Sequence, residues 1–297
     1  MLIESFRLRE DDDNVKLHAY ILDASQEYGA GKRRPAVIVC PGGGYVWTSD
    51  REAEPVAMRY AALGYHTFVL RYSTQYPSAP QRGGELPPGN DRSRYPGPLL
   101  DLAKAIQTVR QHADRWQLDA DKVAVCGFSA GGHLAASLGV HWHAPWLAQK
   151  LGTEARLLKP NAIVLGYAVL DYLVMKGGEQ ELQAFRALAN QAVFGNPDPS
   201  HEERKALSPV EFVSPATPPA FVWHTANDAL VPAANSLRFA AALAEHGVPY
   251  ELHVFEDGAH GLSLCDETTA AGPEHLSPEC RVWFDMSVNW LRKRFAT

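Results

Sequence analysis

The sequence predicts an α/β chain whose mainly parallel, doubly wound sheet carries an antiparallel β pair at its N-terminus. Three observations predict it. From residue 35 onward, short apolar runs alternate with longer segments whose apolar residues recur at helical spacing. Those runs have no polar face, so each strand needs cover on both sides, as strands of parallel sheets do. The opening "KLHAYILDA" alternates instead and leads into the turn-rich "QEYGAGKRRP", the pattern of an antiparallel pair.

In chain order, "PAVIVC" (35–40) reads as a strand. "REAEPVAMRYAALG" (51–64) follows as a helix stopped by Gly64, and "YHTFVLRY" (65–72) as the next strand. A helix over 98–116, a strand at 122–126 and a small-residue helix from 130 to 143 repeat the alternation. Strands at 162–170, 220–226 and 250–256 are then separated by helices over 179–193 and 232–247, and a last helix spans about 280–295. Two stretches interrupt this rhythm, 73–97 and 194–218, both rich in proline and long for plain connections. With no repeat and no linker between two cores, the expectation is one domain over 1–297 carrying two long loop inserts.

Composition narrows the function classes. A hydrophobic fraction of 46% with 21% charge is enough to build a substantial core, and a net charge of −6 disfavours a nucleic-acid partner. No basic segment followed by an apolar stretch opens the chain, and no run reaches the roughly 18 apolar residues of a membrane span. The expectation is a cytoplasmic protein without membrane contact. Cys40, Cys126, Cys265 and Cys280 are widely spaced; Cys40 and Cys126 each end an apolar strand, where a buried thiol is expected.

The stretch "KVAVCGFSAGGHLAAS" carries the chemistry. An apolar strand stops at Gly127, presents one hydroxyl at Ser129 and restarts as a helix through Gly131 and Gly132. Gly-x-Ser-x-Gly between strand and helix is the context of a nucleophile elbow, where flanking side chains would collide with the tight turn. A serine hydroxyl needs a base. Of the 12 histidines, His260 in "FEDGAHGLS" stands on a loop just after the strand 250–256, among small neighbours. Asp228, in "WHTANDALVP", follows the preceding strand and can fix the imidazole tautomer. Asp171 is the second choice for this acid, and Asp257 the third. In "VCPGGGYVW", the amides of Gly43 and Gly44 follow the first parallel strand and, with that of Ala130, can face a developing oxyanion. Tyr45 and Trp47 then stand where they could wall a short acyl pocket, or fill core.

On these motifs the chain resembles the α/β-hydrolase superfamily over nearly its whole length, and within it the acetyl-xylan-esterase-like and feruloyl-esterase-like small carboxylesterases. The matching stretches are "CPGGGY", "REAEPVA", "YPGPLLDLAKAI", "VCGFSAGGHLAASLG", "HTANDALVP" and "GAHGL". The resemblance implies an α/β-hydrolase fold and a serine hydrolase of carboxylic esters working without cofactor or metal. It assigns Ser129 as nucleophile, Asp228 as acid, His260 as base, and Gly43, Gly44 and Ala130 as oxyanion donors. The partner it implies is a small-molecule ester with a short acyl group, acetyl on a sugar or xylan fragment by analogy. Pro41 and Phe128 depart from the hormone-sensitive-lipase branch, which has His before the glycine run and Asp within the elbow. Two alternatives stay open: a peptidase or amidase of prolyl-oligopeptidase type, and a non-catalytic small-molecule receptor.

Other residues receive bland readings. "HWH" at 141–143 is a helix-end pair whose members face different ways, not a metal site. His133 is expected to pack on the sheet, and Glu52 and Glu54 to favour a helix N-terminus through their charge.

Overall fold

The computed structural model describes residues 1–27, 31–80, 89–177 and 179–296. Eight strands form one sheet: β1 (Leu2–Arg7), β2 (Lys16–Ile21), β3 (Arg34–Cys40), β4 (His66–Arg71), β5 (Leu118–Phe128), β6 (Ala162–Gly166), β7 (Ala220–Thr225) and β8 (Tyr250–Phe255). Their order is β1-β2-β4-β3-β5-β6-β7-β8. The β1–β2 and β2–β4 pairs are antiparallel, and every pair from β4 to β8 is parallel. This is the α/β-hydrolase fold.

Ten helices complete the frame: α1 (Glu54–Ala61), α2 (Gly97–Gln111), α3 (Ala113–Trp116), α4 (Ser129–His141), α5 (Pro145–Leu151), α6 (Gln180–Phe194), α7 (His201–Ala206), α8 (Ala234–Glu245), α9 (Pro278–Arg281) and α10 (Trp283–Phe295), all among the described residues. Alternation along each strand divides the core in two. Ile38, Phe68, Val125, Ile163 and Val222 face α2, α4 and α8, meeting Leu102, Ile106, Leu134 and Phe239. Val37, Val39, Val69, Val164 and Trp223 face α1 and α10, meeting Val56, Tyr60, Phe284 and Leu291. Full burial of each such side chain contributes about 1.5–3 kcal/mol, and Trp223 stacks on Trp283 with ring centroids 5.0 Å apart. All four cysteines are buried free thiols. No helix among the described residues is long and apolar enough to cross a membrane.

Four sequence expectations need correction. The N-terminal pair exists, but its return lies at residues 8–15, where the Leu8 N–H donates to Val15 O at 3.0 Å. "QEYGAGKRRP" instead leads from β2 towards β3, and its residues 28–30 lie outside the described ones. β1 escaped notice because its side chains are mostly exposed and its alternation is weak. The apolar run 162–170 leaves the sheet at Gly166: Tyr167 takes φ 36° and turns residues 167–170 over the strand ends, still buried. The helix over 98–116 is broken at His112. His133 does more than pack, as described below.

The sheet order fixes where a site can form. From β3 the chain passes to β4 on one side, then returns to β5 on the other. The loops leaving the C-terminal ends of β3 and β5 therefore diverge and open a crevice between them. The glycine run 42–44 and Ser129 stand on those two loops.

Candidate active site

Ser129 begins α4 directly after β5 and holds φ 51°, a left-handed conformation that a side chain disfavours. The turn closes so tightly that a Cβ on Gly127 would lie 2.2 Å from Gly131 O, and one on Gly131 would lie 2.1 Å from Cys40 O. Only glycine fits at either place. The glycines thus let β5 turn into α4 while β3 passes alongside, and the hydroxyl projects into the crevice with Ser129 8% exposed.

His260 lies on the loop after β8, and its Nε2 is 2.9 Å from Ser129 Oγ. Its Nδ1 is 2.7 Å from Asp228 Oδ2. An ionised carboxylate can only accept, so Nδ1 carries the hydrogen and donates it to Asp228, leaving Nε2 to accept from the Ser129 hydroxyl. Asp228 is itself fixed: Oδ1 accepts the Leu230 and Val231 amides, both at 2.9 Å. The buried His224 approaches Oδ2 at 3.4 Å while donating from Nε2 to Val231 O at 2.8 Å. Burial opposes ionisation of Asp228, but His260 and His224 beside it hold its carboxyl well below the usual range. Burial would likewise lower the His260 pKa; the adjacent Asp228 and the charge of Glu52 outweigh burial and the opposing Arg186, and raise it above 6.5.

The two rival acids are engaged elsewhere. Asp171 is buried, caps Leu173 N–H and accepts from Arg238 Nη1 at 2.6 Å. Asp257 accepts from Asn227 Nδ2 at 2.8 Å.

The glycine loop completes the crevice. Gly43 takes φ 118°, and its carbonyl accepts the Val46 and Trp47 amides, which curls the chain back. Gly44 and Ala130 line a cavity of 40 Å³ beside Ser129, together with Tyr45, Tyr172, Phe185 and Ala189. Gly43 is not part of that lining. Ser129 and Ala130 of that lining belong to the first turn of α4, whose amides have no partner within the helix and stand at the positive end of its dipole. Trp47 does not wall this cavity. It packs edge-on against Phe185 at 5.9 Å and faces a separate polar groove of 510 Å³ that contains none of Ser129, Asp228 and His260.

Several contributors were not legible in the sequence. Tyr45 is held by His133: the His133 Nε2 lies 2.7 Å from Leu207 O, which only accepts, so Nδ1 accepts the Tyr45 hydroxyl at 2.6 Å. Burial lowers the His133 pKa to about 4, which keeps the ring neutral in this relay. Glu52 is 4% exposed and reaches back to Gly42, rather than merely favouring a helix N-terminus. Its burial was readable: Glu52, Ala53, Val56, Ala57 and Tyr60 recur at helical spacing, and all are buried. The walls from α6 left no such signal. Of the two long inserts, residues 81–88 lie outside the described ones. Residues 75 and 76 pair with the glycine loop, donating to Tyr45 O and Val46 O at 2.9 Å.

Comparison with known proteins agrees with this architecture. The BD-FAE family model matches residues 22–243. The carboxylesterase Cest-2923 from Lactobacillus plantarum WCFS1 superposes with a TM-score of 0.81 at 30% identity, covering 99% of this chain and 98% of that one. An acetyl ester-xyloside bifunctional hydrolase from Caldicellulosiruptor lactoaceticus superposes with a TM-score of 0.75 at 31% identity, covering 98% and 96%. Endo-1,4-beta-xylanase B of Butyrivibrio fibrisolvens is 31% identical over 246 residues, 81% of this chain and 34% of the relative. The chain spans less than two thirds of the length of the curated relatives it matches, 47% and 49% of two mycobacterial ester hydrolases among them.

Proposed function

The chain belongs to the BD-FAE family, and from that premise we propose that it is a serine carboxylic-ester hydrolase acting on short acyl, chiefly acetyl, esters. The observation that carries the reading is the continuous path Ser129 Oγ, His260 Nε2, His260 Nδ1, Asp228 Oδ2, with contacts of 2.9 and 2.7 Å. His260 takes the Ser129 proton as the oxygen attacks the ester carbonyl, and Asp228 stabilises the imidazolium that forms. The carbonyl oxygen, now negative, is received by the amides of Gly44 and Ala130, with Gly43 as a further donor. One such donor is typically worth about 10²–10³ in turnover. His260 then protonates the leaving alcohol, and water repeats the sequence to free the acid.

The short acyl preference rests on the space beside the nucleophile. A cavity of 40 Å³ has room for a few non-hydrogen atoms, since one water needs about 10–15 Å³ on this measure. Its apolar lining suits a methyl group. The Caldicellulosiruptor neighbour, an acetyl ester-xyloside hydrolase, supports an acetylated sugar as the natural ester. The test is hydrolysis of a chromogenic acetyl ester by the wild type and by Ser129→Ala. Loss of a nucleophile costs about 10⁶ in turnover, so the variant should fall to background. Activity retained within tenfold of wild type rejects the mechanism.

A further inference from the structure

A buried carboxylate stands behind the site without a basic partner. The Glu52 Oε2 accepts the Gly42 N–H at 2.7 Å, and Oε1 accepts the Tyr167 hydroxyl at 2.6 Å. The Tyr167 oxygen in turn accepts the Ser263 N–H at 2.9 Å, and the Ser263 hydroxyl donates to Arg51 O at 2.7 Å. Gly42 opens the glycine loop, and Ser263 lies three residues beyond His260. One carboxylate therefore joins the loop carrying the oxyanion donors to the loop carrying the base. The tolerance is small: a Cβ on Gly42 would lie 2.9 Å from Ser129 Cβ and 2.7 Å from Glu52 Oε2. Tyr167 also meets the His260 ring edge-on, with centroids 5.0 Å apart.

Burying a carboxylate is costly unless something compensates. Among the described residues no Lys, Arg or His forms an ion pair with Glu52. Two neutral donors satisfy its hydrogen bonds but leave its charge unbalanced. Its charge acts on His260 across the Tyr167 ring and favours the imidazolium that forms as the serine proton is taken.

We propose that Glu52 is a positioning residue for ester hydrolysis, holding the glycine loop and the histidine loop in register through Tyr167, which packs against the His260 ring, and adding its charge to that of Asp228 in support of the imidazolium. The inference rests on the reading of Ser129 as nucleophile. The charged groups acting on His260 are Asp228 and Glu52, which favour its cation, and Arg186 of α6, which opposes it; Tyr167 packs against it as a neutral ring. Removing one of two supporting carboxylates makes the base weaker.

Glu52→Gln keeps the size and one acceptor for Gly42 N–H while removing the charge. Its kcat for an acetyl ester should fall by about ten- to a hundredfold with KM within about twofold, because the interaction strengthens only as the imidazolium forms. The acid limb of its kcat/KM profile should move about half a pH unit lower than that of wild type. An acid limb that stays in place overturns the proposal whatever the loss of kcat, since a strut alone would not move it. Should the Gln variant fail to fold, Tyr167→Phe decides. It keeps the ring against His260 but removes the hydroxyl that ties Glu52 to Ser263. A several-fold lower kcat with KM within about twofold supports the proposal, and wild-type kcat overturns it. A wild type that hydrolyses no ester would overturn the nucleophile reading as well, whereas failure of this inference alone leaves wild type active.

Discussion

At the scale of single residues, reactivity depends on which atoms carry protons. The Asp228 carboxylate fixes the hydrogen on His260 Nδ1, which leaves Nε2 basic and aimed at Ser129. Since Asp228 and Glu52 raise the His260 pKa above 6.5, the sign of the pH effect follows. Below that pKa the imidazolium has no lone pair to take the serine proton, so kcat/KM should fall on the acid side with its midpoint above pH 6.5. A steady-state profile from pH 5 to 9 measures this, and a midpoint below pH 6 contradicts the electrostatics described. Ser129, Asp228 and His260 were legible because each stands just past a strand end, two of them among glycines. His133 and Glu52 were read only as a packing residue and a helix-end charge, because their partners lie 74 and 10 residues away, where no local spacing reveals them.

At the scale of elements, the site is a meeting of loop ends with one helix wall. Helix α6 brings Phe185 and Ala189 against the glycine loop so closely that a Cβ on Gly44 would lie 3.0 and 3.1 Å from them. Its Arg186 also ties the acid loop, donating to Leu230 O at 2.6 Å and to Ala229 O at 2.9 Å. α6 therefore limits the cavity beside Ser129, the proposed acyl site, while it steadies the segment that carries Asp228. Phe185→Ala should enlarge the cavity and raise kcat/KM for a butyryl ester relative to an acetyl ester by about tenfold, since each accommodated methylene is worth about 1–3 kcal/mol. Unchanged selectivity across a series of acyl lengths would show that the wall lies elsewhere. The helix over 179–193 could be read from its periodicity, but not which face meets Gly44. Residues 167–170 likewise leave the sheet at Gly166 although their apolar run looks like continued strand, and Val169 shares the cavity lining with Phe185 and Ala189.

At the scale of the whole molecule, strands buried on both faces made the parallel sheet readable, and the weak alternation of exposed β1 hid one edge of it. Strand order is not written in any local pattern, yet it places the crevice, because the loops after β3 and β5 part there. The consequence is selectivity across the entire chain. Many serines are buried or partnered elsewhere, as Ser208, Ser236 and Ser287 are, and among the described residues only Ser129 has an imidazole Nε2 as its acceptor. The most direct measurement is therefore mass spectrometry of the native protein after brief exposure to a fluorophosphonate. A single adduct on Ser129, absent from the His260→Ala variant, is the predicted result; no adduct, or one on another serine with residue 129 unmodified, would contradict it.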